Sequence, residues 1–383
     1  MTSRTADVVP AAAGPARPGR LGGLAVARCL ALLGMVATHV LLDFTPEGDL
    51  SFSQWLAGGR ASALFAVLAG VSLALMTGGR EPARGRDRLR ASAGLAVRSL
   101  LIAGLGLALA EPDSGLAIIL TYYGVLFLLG LPFVGLRART LALLAAGWVV
   151  LAPVVSHLVR PDLPVRGFAS PAVDQLGDPG RLASELLFTG YYPAVPWLAY
   201  LLAGMALGRC DLRNRRLLLA LAGGGLALAV LATQVSRAVT DPAVSDQYAR
   251  GMFGTTPADG DWSWLLLVAP HSATPFDLAQ TIGSALLVIA VCLLIERALP
   301  DAGVTFLAVL FGAGTMTLTL YSLHVVLRTP EVWPPDDPRA YGWHVLVLLA
   351  IGAAFVARGR RGPLEYVVGL PVRALRPADL RNA

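Results

Sequence analysis

The chain has 383 residues, 55% of them hydrophobic and 15% charged, with a mean hydropathy of +0.64. A soluble domain carries about a quarter charged residues, so the composition excludes that class and predicts an all-α polytopic membrane protein. The net charge of +6 does not mark a nucleic-acid binder: all 31 basic residues are arginine, and they cluster in short loops between apolar runs, as orientation signals do.

Residues 1–20 are Pro/Ala/Gly-rich and lack the apolar core of a signal peptide, which predicts a disordered cytoplasmic tail. Apolar runs suited to a bilayer follow at 24–44, 60–77, 91–110, 115–136, 141–158, 191–207, 217–235, 276–295, 305–327 and 343–357. They predict about ten transmembrane helices in one domain over 21–358, with Pro132 and Pro196 kinking the fourth and sixth. A basic tail, 359–383, ends the chain; its "PLEYVVGLPVRALRP" alternates apolar residues with arginine, as an anchor lying on the inner membrane surface does.

The connections alternate in charge. "GGREPARGRDRLR", "LRAR", "GRCDLRNRR" and "RGRRGP" fall on one side, "TPEGDLSFSQW", "EPDS" and "TPEVWPPDDPRA" on the other. By the positive-inside rule the arginine-rich set and both termini are cytoplasmic. The stretches 159–189 and 236–275 are too long for simple connections and are expected to shape an external site. Cys29, Cys210 and Cys292 have no CxxC spacing, so neither a disulfide framework nor a metal site is expected. The "GAG", "GGG" and "LAG" triplets inside the runs are expected to be helix-packing points, not phosphate cradles.

The first run holds two ionisable residues, Arg28 and His39. Eleven residues at about 100° each make about 1100°, three turns plus about 20°, so both project from one face about 16 Å apart. Ionisable groups inside spans face protein or water and mark functional sites by default. Asp43, four residues after His39, is expected on the same face, orienting the ring. All five histidines fall on or near the external side of this map; ordinary interfacial placement accounts for about three.

Arginine, ten residues, then histidine on the first span resembles the signature of the transmembrane acyltransferase superfamily. "GRASALFAVLAGVSLAL", "TGYYPAVPWLAYLLAGMALGR", "PHSATPFDLAQTIGSALLV", "GTMTLTLYSLHVV" and "RRGPLEYVV" are similar, in order, to the bacterial branch related to heparan-α-glucosaminide N-acetyltransferase and YeiB-like proteins. The chain departs from that pattern at Ala25, where the branch has an acid, and at Cys29, where it has a glycine.

The resemblance implies a bacterial plasma-membrane enzyme that moves an acyl group, normally acetyl, from cytoplasmic acetyl-CoA to an external sugar or glycolipid. Arg28 would hold the donor's phosphates, and His39, with Asp43, would act as base or nucleophile. An unperturbed imidazole pKa of about 6.5 keeps the ring largely neutral, as both roles need. His271 and His324, with the aromatic planes of Tyr192, Trp197 and Tyr321, are the candidates for the acceptor pocket. Lipids are the other expected partners. The rival class is a small-solute transporter, against which stand the lack of an inverted repeat and the placement of the charged pair on one helix.

Overall fold

The computed structural model describes residues 21–112, 114–165, 170–249, 255–332 and 337–375. The expected N-terminal tail, 1–20, and the end of the basic tail, 376–383, lie outside the described residues. The fold is all-helical. In chain order the α-helices are α1 Gly22–Val40, α2 Phe52–Ala57, α3 Arg60–Met76, α4 Gly85–Ala110, α5 Leu120–Gly130, α6 Ala138–Val159, α7 Pro179–Ser184, α8 Ala194–Gly208, α9 Arg215–Val239, α10 Pro242–Ala249, α11 Pro275–Ala298, α12 Asp301–Leu310, α13 Thr317–Leu327, α14 Ala340–Ala357 and α15 Pro363–Ala374.

Among the described residues seven segments are long and apolar enough to cross a membrane: α1, α2 with α3, α4, α6, α9, α11 and α14. An eighth is formed if Pro179–Thr189 and α8, bent by 51°, make one span. The other two expected segments are shorter helices. The fourth is α5, which tightens into a 3-10 turn at Leu131–Phe133 because Pro132 has no N–H to continue the α ladder. The ninth is broken into α12 and α13 by the 3-10 segment Gly312–Thr315. Pro196 kinks nothing: it is the third residue of α8, where the N–H has no intrahelical partner, and the break precedes it.

The core is centred on α8, which is buried along almost its whole length. Its crossing with α3 depends on two glycines. A Cβ on Gly70 would lie 2.2 Å from the Leu201 carbonyl, and one on Gly204 would lie 1.9 Å from the Val67 carbonyl. This is the close backbone contact that small residues permit in lipid, where no hydrophobic force drives helices together. By contrast α9 buries a single seam, Leu218, Gly225, Ala232 and Ser236, and seats it on α11. At the arginine-rich end, buried Arg209 donates to the carbonyls of Ala74 (2.8 Å), Gly79 (2.6 Å) and Val134 (2.5 Å), so one guanidinium ties the α3–α4 loop to α8.

Candidate functional site

Because α1 is unbroken from Gly22 to Val40, Arg28, Met35 and His39 fall on one face, at helical spacings of seven and four. Arg28 lines a cavity of about 280 Å³ toward the arginine-rich end, termed the inner cavity, together with Ser72, Arg98, Tyr123, Tyr321 and Glu365. His39 lines a cavity of about 780 Å³ toward the opposite end, termed the outer cavity, together with Asp43, Gln54, Tyr191, Tyr192 and His271. Met35 lines both. The stripe therefore faces protein-lined space along its length.

In the inner cavity, Arg28 Nη2 donates to Ser72 Oγ at 2.8 Å. The Gly312–Thr315 segment lies against the part of α1 that carries Ala25 and Cys29. A Cβ on Gly314 would fall 1.7 Å from the Ala25 carbonyl and 2.9 Å from the Cys29 nitrogen. The C-terminal helix α15 packs on α4 and α13, which goes beyond the surface anchoring expected of it. Its Glu365 accepts from the Leu318 N–H at 2.7 Å and the Thr319 hydroxyl at 2.6 Å, capping α13, and it acts electrostatically on Arg98.

In the outer cavity the helix ends before Asp43. Leu41 is extended, and Asp43 belongs to a turn in which its carbonyl accepts from Ser51 N at 2.9 Å. Its Oδ1 accepts from Gln54 Nε2 at 2.5 Å. The expected Asp43–His39 pairing gives way to a different partner. His39 Nδ1 lies 3.2 Å from His324 Nε2, and His324 Nδ1 lies 3.3 Å from His344 Nδ1. The first two rings stack at 5.4 Å and the second two meet edge to face at 5.0 Å.

A neutral imidazole has one N–H, so this chain of contacts has two self-consistent polarities. In one, His39 Nδ1–H donates to His324, which donates to His344, and the His39 Nε2 lone pair is left for the cavity. In the other, all three are reversed and Nε2 carries a proton. Arg328, four residues after His324, acts electrostatically on all three rings. Among the described residues no group of three or more potential ligands is arranged to hold a metal ion.

The remaining candidates divide. Tyr192 and His271 line the outer cavity. Trp197 sits behind them, edge-on to Tyr192 at 5.1 Å, and does not reach the cavity wall. Tyr321 lines the inner cavity instead, where its hydroxyl accepts from Ile119 N at 3.3 Å. It lies three residues before His324 on α13, about one turn nearer the arginine-rich end. His324 itself is fully buried behind His39, as that ring's support.

Sequence reasoning missed Met35, Glu365 and His344. His344 is 2% exposed and buried against His324. Its only sequence signal is its position at the start of the last apolar run. Of the two long stretches, 159–189 and 236–275, one supplies Ser170, which ties Leu116 and Ile118 at the cavity rim, and the other supplies His271. His157 packs on Trp262 at 4.8 Å, apart from this cluster.

A family model described as heparan-alpha-glucosaminide N-acetyltransferase, catalytic, matches residues 20–237, more than half of the chain. The match includes Arg28, His39, Tyr192 and Trp197 and stops before His271, His324 and His344. No curated protein matches the chain.

Proposed function

The chain belongs to the family of the heparan-alpha-glucosaminide N-acetyltransferase catalytic domain, and from that premise we propose that it carries an acetyl group from cytoplasmic acetyl-CoA to an amino sugar or glycolipid across the membrane. The observation that carries the reading is the single face of α1 on which Arg28, Met35 and His39 run from one cavity into the other.

The inner cavity fits the narrow end of such a donor better than its head. Its volume of about 280 Å³ suits a pantetheine arm, while arginines of the inner loops, with Arg28 and Arg98, offer charge-assisted bonds to phosphates. The thioester passes Met35 and meets His39. With the imidazole relay in its first polarity, His39 Nε2 attacks the thioester carbonyl. The C–S bond breaks, coenzyme A leaves as a thiolate that takes up a proton, and the acetyl group stays on Nε2. His324 accepts from the Nδ1–H throughout, stabilising the positive charge of the acetylated ring until the acetyl group leaves. The acceptor then enters the outer cavity, where Tyr191 and Tyr192 offer stacking faces, and its amine or hydroxyl takes the acetyl group and releases His39.

Full-length protein in proteoliposomes, given [14C]acetyl-CoA on the cytoplasmic face, should acquire label on the protein and pass it to glucosamine on the opposite face. His39→Ala should do neither while remaining monodisperse. Glucosamine crossing the bilayer unmodified, with no label on protein or sugar, would establish transport instead.

A further inference from the structure

The acceptor half of this reaction needs a base, and His39 is not available for it. Its Nε2 carries the acetyl group, and its Nδ1 is engaged with His324. His324 and His344 stand behind it rather than in the cavity wall. The proton must go to another group that lines the outer cavity. Asp43 is bonded to Gln54 at 2.5 Å and Glu111 to the Val173 N–H at 2.8 Å. Arg328 has no lone pair to offer, and phenols such as Tyr191 and Tyr192 are weak bases near neutrality. Among the described lining residues the one further imidazole is His271.

The backbone around His271 is built to present that ring. In "APHSATPFD", His271 and Ala273 have φ of +64° and +54°, the two non-glycine residues in the left-handed region among those described. Such conformations persist only where the surroundings over-determine them. Here Ala273 N–H donates to the buried Asp277 carboxylate at 3.0 Å, Ser272 Oγ to the Ala269 carbonyl at 2.9 Å, and Thr274 Oγ1 to the Leu267 carbonyl at 2.5 Å.

From the α2–α3 junction, Gly59 presses on the loop: a Cβ there would lie 3.2 Å from Pro270 Cα and 3.3 Å from His271 N. Tyr191 and Tyr192 hold the ring at centroid distances of 4.7 and 5.3 Å, and Trp197 lies parallel to it at 6.3 Å. A purely packing residue in this aromatic box needs no left-handed backbone.

We propose that His271 is the general base of the acceptor step. This rests on the acetyl-histidine reading given above. As the acceptor nitrogen attacks, the N–C bond forms, the C–Nε2 bond to His39 breaks, its electron pair returns to that ring, and the acceptor proton passes to His271 and then to water. The charged and titratable groups sharing the neighbourhood are His39, Asp43, Glu111, Arg328, Tyr191 and Tyr192 across the cavity and Asp277 beneath the loop.

The test compares wild type with His271→Asn, since asparagine accepts a left-handed φ without being a base, and with His271→Gln in case the first fails to fold. Labelling of the protein by [14C]acetyl-CoA should keep its wild-type rate. Transfer to glucosamine should fall about 10²- to 10⁴-fold. Transfer to hydroxylamine, which attacks without base assistance, should change less than about threefold. Glucosamine transfer at the wild-type rate overturns the proposal, as does an equal loss of labelling, glucosamine transfer and hydroxylamine transfer, which marks a structural role. A wild type that never becomes labelled refutes the acetyl-histidine reading, and this assignment with it.

Discussion

Substituting His324 by alanine tests whether the three rings act as a relay. His324 is fully buried, with contacts of 3.2 Å to His39 and 3.3 Å to His344. Removing it leaves His39 Nδ1–H without an acceptor. A neutral hydrogen bond is worth about 1 kcal/mol and one to a charged group about 1.5–3 kcal/mol. Only the surplus that appears as His39 gains positive character lowers the barrier. That surplus, about 0.5–2 kcal/mol, is about 2- to 30-fold in rate. Release of His39 into both tautomers adds about a further factor of two, because only one leaves Nε2 unprotonated. Rapid-quench labelling with [14C]acetyl-CoA in a single turnover reads this directly. His324→Gln, whose amide oxygen accepts a hydrogen bond, should recover most of the loss. A His324→Ala protein that is monodisperse and labels within twofold of wild type refutes the relay.

Three other expectations follow from the cavities and their walls. Met35→Trp should obstruct the step between inner and outer cavities, cutting transfer at least about tenfold while coenzyme A binding, measured by calorimetry in detergent, stays unchanged. Arg28→Ala should raise the acetyl-CoA KM about tenfold or more with a smaller change in kcat, since a lost charge-assisted bond of about 1.5 kcal/mol or more is about that factor; Arg28→Lys, which keeps the charge without the fork, should fall between. Gly204→Val should lower thermal stability sharply in a fluorescence-detected melting assay, because even its Cβ would sit 1.9 Å from the Val67 carbonyl and force α3 from α8. A melting temperature within about 2 °C of wild type would contradict the packing described for that crossing.

The local sequence determined what depends on near neighbours along the chain. Apolar runs gave membrane-suited helices because backbone groups in hydrocarbon must bond within their own segment. The 3.6-residue period put Arg28 and His39 on one face because α1 is continuous between them. The same period failed for Asp43, since α1 ends at Val40; the turn formers after it, Asp43, Pro46 and Gly48, carried that signal. It also gave no count of complete spans where Gly312–Thr315 breaks a hydrophobic stretch that composition reads as one.

What the tertiary structure alone decided is which faces meet. His39 and His324 are 285 positions apart, and nothing local to either requires their rings to stack. Tyr321 and His324, three residues apart on α13, serve different cavities because neighbouring helices cover their two sides differently. Glu365 reaches the inner cavity only because α15 folds back on α4 and α13. A helix fixes its own directions through hydrogen bonds four residues long, whereas the space those directions open into is set by steric fit between elements distant in the chain.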